Sequence, residues 1–245
     1  MAEIHIPKDR ALNHGGDEFL RGGARFAETF ELFGGLKGED RVLDIGCGAG
    51  RMAIGIGHRY GWTNALTGFD IIKVDVDVCR EGITSQHPNF QFHHVDAWNG
   101  HYNSKGVVRP HEVLFPAADA SIDFAFATSV FTHMFRREVA HYLAECLRVL
   151  APGGALLTTW FILTDEALES ARAGKSRFNF LHEQPDGTFI EHVARPEDVV
   201  GYRKSDVLAL LSDFTDVTFH QGAWSGTAPQ KGRHSQDVMV ARKPR

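Results

Sequence analysis

Short apolar runs alternate with amphipathic segments along most of the chain. The apolar runs predict buried strands at 41–46, 65–71, 90–96, 122–130 and 155–163. Apolar positions at helical spacing predict helices at 51–60, 73–86, 136–150 and 204–211. Two further strands are expected at 216–221 and 237–242. Strand–helix units that end in a strand pair predict an α/β fold with a doubly wound sheet.

Three segments depart from this alternation. Phenylalanines at helical spacing predict an N-terminal helix at 15–36, which either packs on the core or covers a ligand as a lid. The polar stretch 97–121 is too long for a plain connection and is therefore a candidate functional loop. Segment 164–200 lacks periodicity, and we interpret it as an insertion that covers an acceptor, within a single domain spanning 1–245.

Composition narrows the classes of function. The net charge of −5 lacks the basic excess expected of a nucleic-acid-binding surface, so no nucleic-acid partner is predicted. Three widely spaced cysteines and fourteen scattered histidines form no CxxC or HExxH pattern, so no metal is predicted. The sequence shows neither a signal peptide nor an apolar stretch long enough to span a membrane, which predicts a cytoplasmic protein. None of these features indicates which oligomeric state the protein adopts.

A glycine-rich loop follows the first predicted strand. Residues 42–50 read VLDIGCGAG, and the next predicted helix starts at Arg51. Nucleosides bind at this turn in open α/β sheets, and glycines there let the backbone approach a ligand. A dinucleotide fingerprint, GxGxxG, would need glycine at position 51. Asp44 also disfavours a pyrophosphate, so a ligand with a cationic end is expected; alternatively, Asp44 only caps the loop.

Two further acids end the next two predicted strands. Asp70 lies 20 residues after Gly50, near the spacing of roughly 20 typical of a ribose-binding carboxylate. Asp96 ends the third predicted strand, where its carboxylate can accept a hydrogen bond from an adenine amino group. The alternatives are that Asp70 caps a helix and that Asp96 caps a turn.

Taken together, these motifs resemble those of the class I S-adenosylmethionine-dependent methyltransferases. The matching segments, which extend over nearly the whole chain, are 42–50, 68–70, 95–97, 122–127 and 147–154. The resemblance implies a seven-stranded, mostly parallel sheet whose last strand is antiparallel. It also implies S-adenosylmethionine as the cofactor, whose ammonium and sulfonium groups suit an acidic site.

The resemblance assigns roles to particular residues. The methionine part of the cofactor is expected at Asp44, Gly46, Cys47, Gly48 and Gly50. Asp70, with Ile71 beside it, is expected to hold the ribose, and Asp96 with Ala97 the adenine. Ser129, at the end of the fourth predicted strand, is expected to approach the cofactor or simply to pack.

His133 is the candidate catalytic base. It follows the fourth predicted strand, and histidine is the side chain whose ordinary pKa lies near neutrality. The alternative is that His133 only orients its loop, in which case His101 or Tyr102 is the next candidate base.

The expected acceptor is a hydroxyl oxygen of a small molecule or a saccharide. The fourth strand lacks the Asn/Asp-Pro-Pro-aromatic motif of enzymes that methylate amino groups, and no paired-glutamate loop or metal-binding acid cluster is present. Segments 102–106 and 129–133 are similar to bacterial methyltransferases of sugars and surface glycans. N- or C-methylation of a small metabolite and non-catalytic cofactor binding are the alternatives.

Overall fold

A computed structural model describes residues 16–227 and 234–245. The strands are β1 (Arg41–Ile45), β2 (Ala65–Asp70), β3 (Phe90–His94), β4 (Ile122–Ala127), β5 (Leu150–Trp160), β6 (Ile162–Leu163), β7 (His182–Glu183), β8 (Phe189–Ile190), β9 (Val200–Arg203), β10 (Thr215–His220) and β11 (Asp237–Arg242). The helices are α1 (Gly16–Thr29), α2 (Arg51–Tyr60), α3 (Lys73–Cys79), α4 (Arg136–Val149), α5 (Asp165–Arg172) and α6 (Lys204–Leu210). Single π-helical turns extend α1 over Phe30–Gly34 and α3 over Arg80–Thr84.

The main sheet has seven strands in the order β10-β11-β5-β4-β1-β2-β3. β1 pairs in parallel with β2 and β4, whereas β11 runs antiparallel to both of its neighbours, β5 and β10. This confirms the α/β class, the seven-stranded mostly parallel sheet and the antiparallel last strand predicted from the sequence.

Helices cover both faces of this sheet. Successive side chains of a strand point to opposite faces, and Val42 and Leu43 of β1 accordingly belong to two different apolar clusters. One cluster includes side chains of α1, α2 and α3, and the other includes side chains of α4 and α6. The sheet is therefore doubly wound, with its core split between two faces.

α1 packs against α2 through two glycines. A Cβ added at Gly23 would lie 2.3 Å from the Arg51 carbonyl oxygen, and one added at Gly55 would lie 2.2 Å from the Gly23 carbonyl oxygen. The two backbones thus approach more closely than any side chain allows. Residue 15, the first of the predicted N-terminal helix, lies outside the described residues.

The chain between β5 and β9 differs from the prediction in two ways. The strand expected at 155–163 starts earlier, because Leu150 already pairs with Ile122, and it breaks before Ile162. The aperiodic segment contains α5, two strands of two residues each and a 3₁₀ turn, Pro196–Asp198. These strands join a second, four-stranded sheet in the order β6-β9-β8-β7.

A buried carboxylate, Asp237, fastens the chain where the two sheets meet. One of its oxygens accepts hydrogen bonds from the Ile162 backbone N–H and the Trp224 indole N–H, both at 2.7 Å. Its other oxygen accepts from the Gly222 N–H at 2.7 Å. Burial raises the pKa of Asp237 to about 6, so the group is largely ionised at neutral pH and accepts all three bonds.

Asp237→Asn is expected to lower the free energy of unfolding by about 1–3 kcal/mol. The amide nitrogen cannot accept a hydrogen bond, so at least one of the three buried donors loses its partner. Urea denaturation at pH 7.5 measures the change. The control, Asp216→Asn, alters an exposed residue of β10 and should stay within about 0.5 kcal/mol of the wild type. Equal effects of the two substitutions would contradict this view of Asp237.

Candidate active site

The carboxyl ends of the central parallel strands border two cavities. The wide cavity has a volume of about 770 Å³ and the narrow cavity about 210 Å³. Both volumes are within or near the usual range for small-molecule sites. The two cavities share lining residues from the glycine loop, from α3, from the segment after β3 and from the end of β4: Gly46, Gly48, Asp75, Tyr102, Thr128, Ser129 and His133.

The glycine loop lines both cavities and has a backbone that only glycine accommodates well. Gly46 has φ of 74°, and a Cβ added there would lie 2.4 Å from Val130 Cγ2. The backbone N–H groups of Gly46 and Cys47 donate to the Phe69 carbonyl oxygen at 2.9 and 3.0 Å. Gly50, with φ of 83°, directly precedes α2. The loop thus forms a cradle, meaning a concave surface made mainly of backbone atoms.

Asp70 links the glycine loop to the end of β2. Its carboxylate accepts hydrogen bonds from the Gly48 N–H at 2.7 Å and the Ile72 N–H at 2.8 Å. Burial raises the pKa of Asp70, although these backbone donors oppose the rise. Each carboxylate oxygen has two lone pairs, so the group keeps acceptor capacity for ribose hydroxyls in the narrow cavity that it lines.

Asp44 lies fully buried in β1 and lines neither cavity. Within the described residues, neither of its carboxylate oxygens has a hydrogen-bond partner. Burial and the nearby Asp70 carboxylate raise the pKa of Asp44 well above its ordinary value, and Arg51 partly opposes them. The raised pKa means that the buried Asp44 carboxyl binds a proton more readily than an exposed one.

The two residues predicted to hold the adenine, Asp96 and Ala97, border different cavities in the structure. Ala97 is buried in the wall of the narrow cavity, beside Ile71 and the partly exposed Trp98. Asp96 instead borders a shallow outer cavity, where the Asn103 side-chain amide donates to its carboxylate at 2.9 Å. The apolar walls of the narrow cavity suit a flat ring, with Asp96 placed at its outer side.

Ser129 has an unusual backbone at the end of β4. Its φ of 57° is rare for a residue other than glycine. Its backbone N–H donates to Thr159 Oγ1 at 2.7 Å, and its hydroxyl donates to Gln236 Oε1 at 3.0 Å. These bonds hold Ser129 in the wall that both cavities share.

His133 lies in a 3₁₀ turn, Phe131–His133, also in the shared wall. Its Nδ1 lies 2.9 Å from the Glu197 carbonyl oxygen, and because a carbonyl only accepts, Nδ1 carries the hydrogen. The lone pair of the neutral ring is therefore on Nε2, which lies 3.4 Å from the Tyr102 hydroxyl. Burial lowers the pKa of His133, so the ring is neutral at pH 7 and able to accept a proton.

Asn99 is a functional-site residue that sequence reasoning missed. Its side-chain oxygen accepts from the backbone N–H groups of His101 and Tyr102 at 3.0 and 2.9 Å. Its side-chain nitrogen donates to the His133 carbonyl oxygen at 3.1 Å. The Asn-Gly pair at 99–100 is a turn signal that could have drawn attention to this position.

The lining of the wide cavity also includes aromatic and basic residues. Four phenylalanines lie there, namely Phe19, Phe26, Phe161 and Phe178. Three arginines join them, namely Arg25, Arg51 and Arg177.

No helix in the described part of the chain is long and apolar enough to cross a membrane. Residues 16–227 and 234–245 also contain no group of three or more potential metal ligands placed to hold an ion.

The strand order of the main sheet and the backbone cradle at Gly46 are those expected of the class I methyltransferase fold. Residues 42–154, somewhat less than half of the chain, match the family described as "Methyltransferase domain". This match agrees with the family, enzyme class and cofactor predicted from the sequence.

Two curated relatives are O-methyltransferases from fungi. One, from Aspergillus nomiae, is 30% identical over 135 residues, which are 53% of this chain and 49% of the relative. The other, from Aspergillus sclerotiorum, is 29% identical over 178 residues, or 72% of this chain and 57% of the relative. The matched part of this chain thus spans about half the length of each relative.

The fold is similar to that of a solved S-adenosylmethionine-dependent methyltransferase from Methanosarcina mazei. The TM-score is 0.56 at 20% identity, over 85% of this chain and 94% of the other. At this identity, the likeness shows the fold and carries no information on the acceptor.

Asp70→Asn is expected to weaken the binding of both S-adenosylmethionine and its demethylated product by roughly 1.5–3 kcal/mol. The amide nitrogen would face one of the two backbone donors, which loosens the glycine loop, and it would also replace an acceptor available to the ribose. Titration calorimetry measures both affinities. The exposed Asp213→Asn variant serves as the control. Unchanged affinity in Asp70→Asn would remove Asp70 from the cofactor site.

Proposed function

We propose that this protein transfers the methyl group of S-adenosylmethionine to a hydroxyl oxygen of a small-molecule or saccharide acceptor. The observation that carries this proposal is the orientation of His133. Its Nδ1–H is anchored on a backbone carbonyl, and its Nε2 lone pair faces the hydroxyl of Tyr102, a residue that lines both cavities. A hydroxyl acceptor must lose a proton during transfer, and a neutral imidazole in this position can accept it.

The proposed cofactor residues are those expected from the sequence. Gly46, Cys47, Gly48 and Gly50 would hold the methionine part above Asp44, and Asp70 with Ile71 the ribose. Ala97 would lie against the adenine, with Asp96 at its outer side. When bound, the cofactor supplies an activated methyl group on a sulfonium. Ser129, in the shared wall, would approach the cofactor. Alignment of the acceptor with the methyl group contributes up to about 7–11 kcal/mol in favourable cases.

The wide cavity is the proposed acceptor site. It adjoins the narrow cavity at His133, and its phenylalanines suit the apolar face of a ring or a sugar. The lining of this cavity includes residues of the chain between β6 and β9. This supports the interpretation of 164–200 as an insertion that covers the acceptor, within one domain spanning 1–245. The two fungal relatives, both O-methyltransferases, favour oxygen over nitrogen or carbon as the methyl acceptor.

Our proposals on binding partners and cellular compartment rest on the same arguments as the sequence-based predictions. The three cysteines are free and buried, as expected in the reducing cytoplasm. The net charge of −5 argues against a nucleic-acid partner.

Both S-adenosylmethionine and its demethylated product should raise the melting temperature, since each binds the folded state. A methyl-transfer screen against sugars, nucleotide sugars, phenols, carboxylic acids and amines then identifies the acceptor. We expect turnover with a hydroxyl compound and its methyl ether as the product. Turnover only with amines, or binding of cofactor without turnover of any acceptor, would contradict oxygen methylation.

His133→Ala is expected to lower the transfer rate by about 100-fold or more while cofactor affinity changes little. In the wild type, the rate should rise with pH through one ionisation. Because burial lowers the pKa of His133, that inflection should lie below pH 6.5 and the rate should be level above neutrality. Steady-state kinetics from pH 5 to 9 tests this, with His141→Gln as the control because His141 lines neither cavity. A pH-independent wild-type rate would exclude His133 as the base.

A further inference from the structure

We propose that Tyr102 is a second catalytic residue, which contacts the acceptor hydroxyl and relays its proton to His133. This inference rests on the proposed methylation of oxygen. It differs from direct proton removal by His133, because the phenol of Tyr102 lies between the acceptor and the imidazole.

Tyr102 is placed for this role at the junction of the two cavities. It lines both, and its hydroxyl oxygen lies 3.4 Å from His133 Nε2. The two rings also pack edge to face, at 89° with centroids 5.1 Å apart. A modest approach of the two groups brings this contact to ordinary hydrogen-bond length.

The direction of the hydrogen bond follows from the His133 tautomer. Nδ1 carries the hydrogen because the Glu197 carbonyl can only accept, so Nε2 has the free lone pair. The Tyr102 hydroxyl must therefore donate to Nε2. Its oxygen keeps two lone pairs, and an acceptor hydroxyl can donate to one of them.

Neighbouring groups hold the pair together. The Asn99 side chain binds the Tyr102 backbone N–H and the His133 carbonyl oxygen, which fixes the two residues relative to each other. On the other side, the Glu197 side chain packs against Gly100, where an added Cβ would lie 2.6 Å from Glu197 Oε2. A larger residue at position 100 would displace the Glu197 carboxylate.

The proton moves in one balanced step. As the acceptor oxygen forms its bond to the methyl carbon, the methyl–sulfur bond breaks and its electron pair stays on the sulfur, which becomes a neutral thioether. The proton of the acceptor passes to the Tyr102 oxygen, and the proton of Tyr102 passes to His133 Nε2. The products are the methyl ether, the demethylated thioether, an imidazolium whose Nδ1–H still donates to the Glu197 carbonyl oxygen, and an unchanged neutral tyrosine. Burial and the carboxylates of Asp198 and Asp70 raise the pKa of Tyr102, so a standing phenolate is disfavoured and the relay must end on histidine.

Kinetics of Tyr102→Phe, His133→Ala and the double variant test the relay. We expect each single substitution to lower kcat by about 100-fold or more with little change in the acceptor KM. The double variant should be no slower than the slower single variant, because both residues act in one proton path. Tyr60→Phe is the control, since the Tyr60 hydroxyl donates to the Leu36 carbonyl and lines neither cavity.

A Tyr102→Phe variant that keeps wild-type kcat while His133→Ala loses activity would overturn the relay and leave oxygen methylation standing. Multiplicative losses in the double variant would also overturn it. If the wild type methylates no hydroxyl compound, the proposed function fails instead, and the relay fails with it.

An NMR titration tests the Tyr102–His133 contact without turnover. The His133 ring signal is assigned as the one missing from His133→Ala. Because the phenol oxygen lies 3.4 Å from Nε2 and can hydrogen-bond to the imidazole, Tyr102→Phe should change the pKa of His133. His101, Asp198 and the Glu197 carbonyl also face this ring and remain in the variant. An unchanged pKa of His133 would show that Tyr102 makes no hydrogen bond to Nε2.

Discussion

The parallel pairing of β1 with β2 and β4 is the constraint on which the site depends. It brings the glycine loop, Asp70 and the turn that carries His133 to one edge of the sheet, although they are far apart in sequence. At that edge, the Asp70 carboxylate accepts the Gly48 N–H and joins two of these strand ends directly. Each of these loops is therefore positioned by the buried strand that precedes it, and the cavities form where the loops meet.

The chain between β6 and β9 holds the His133 side chain and also lines the wide cavity. The Glu197 carbonyl binds His133 Nδ1, and the Tyr202 hydroxyl donates to the Met134 carbonyl oxygen at 2.6 Å. Both contacts come from the chain around β9, so the small sheet fixes the turn that follows β4. A movement of this sheet would change the orientation of the imidazole together with access to the wide cavity.

The regular elements could be predicted because their periodicity is local. The bounds predicted for α2 and β11 match the structure, whereas α5 was missed even though Thr164 is a recognisable N-cap, accepting from the Ala167 N–H at 3.2 Å. Strands of two residues, such as β7 and β8, are too short to show alternation. The site residues that lie at strand ends or in sequence motifs could be predicted. The contact of His133 with Glu197 spans 64 positions, and no local pattern encodes it.

The two sides of the site differ in their electrostatics, which suits the two halves of the proposed methyl transfer. Beside the glycine loop, burial and the nearby Asp70 carboxylate raise the pKa of Asp44. On the acceptor side, burial lowers the pKa of His133 and raises that of Tyr102, so both are neutral before the reaction. In the proposed reaction, the acceptor meets a neutral pair that can take up one proton. Because the charge of the methyl donor would be lost as the imidazole gains one, positive charge would move across the shared wall instead of building up on either side.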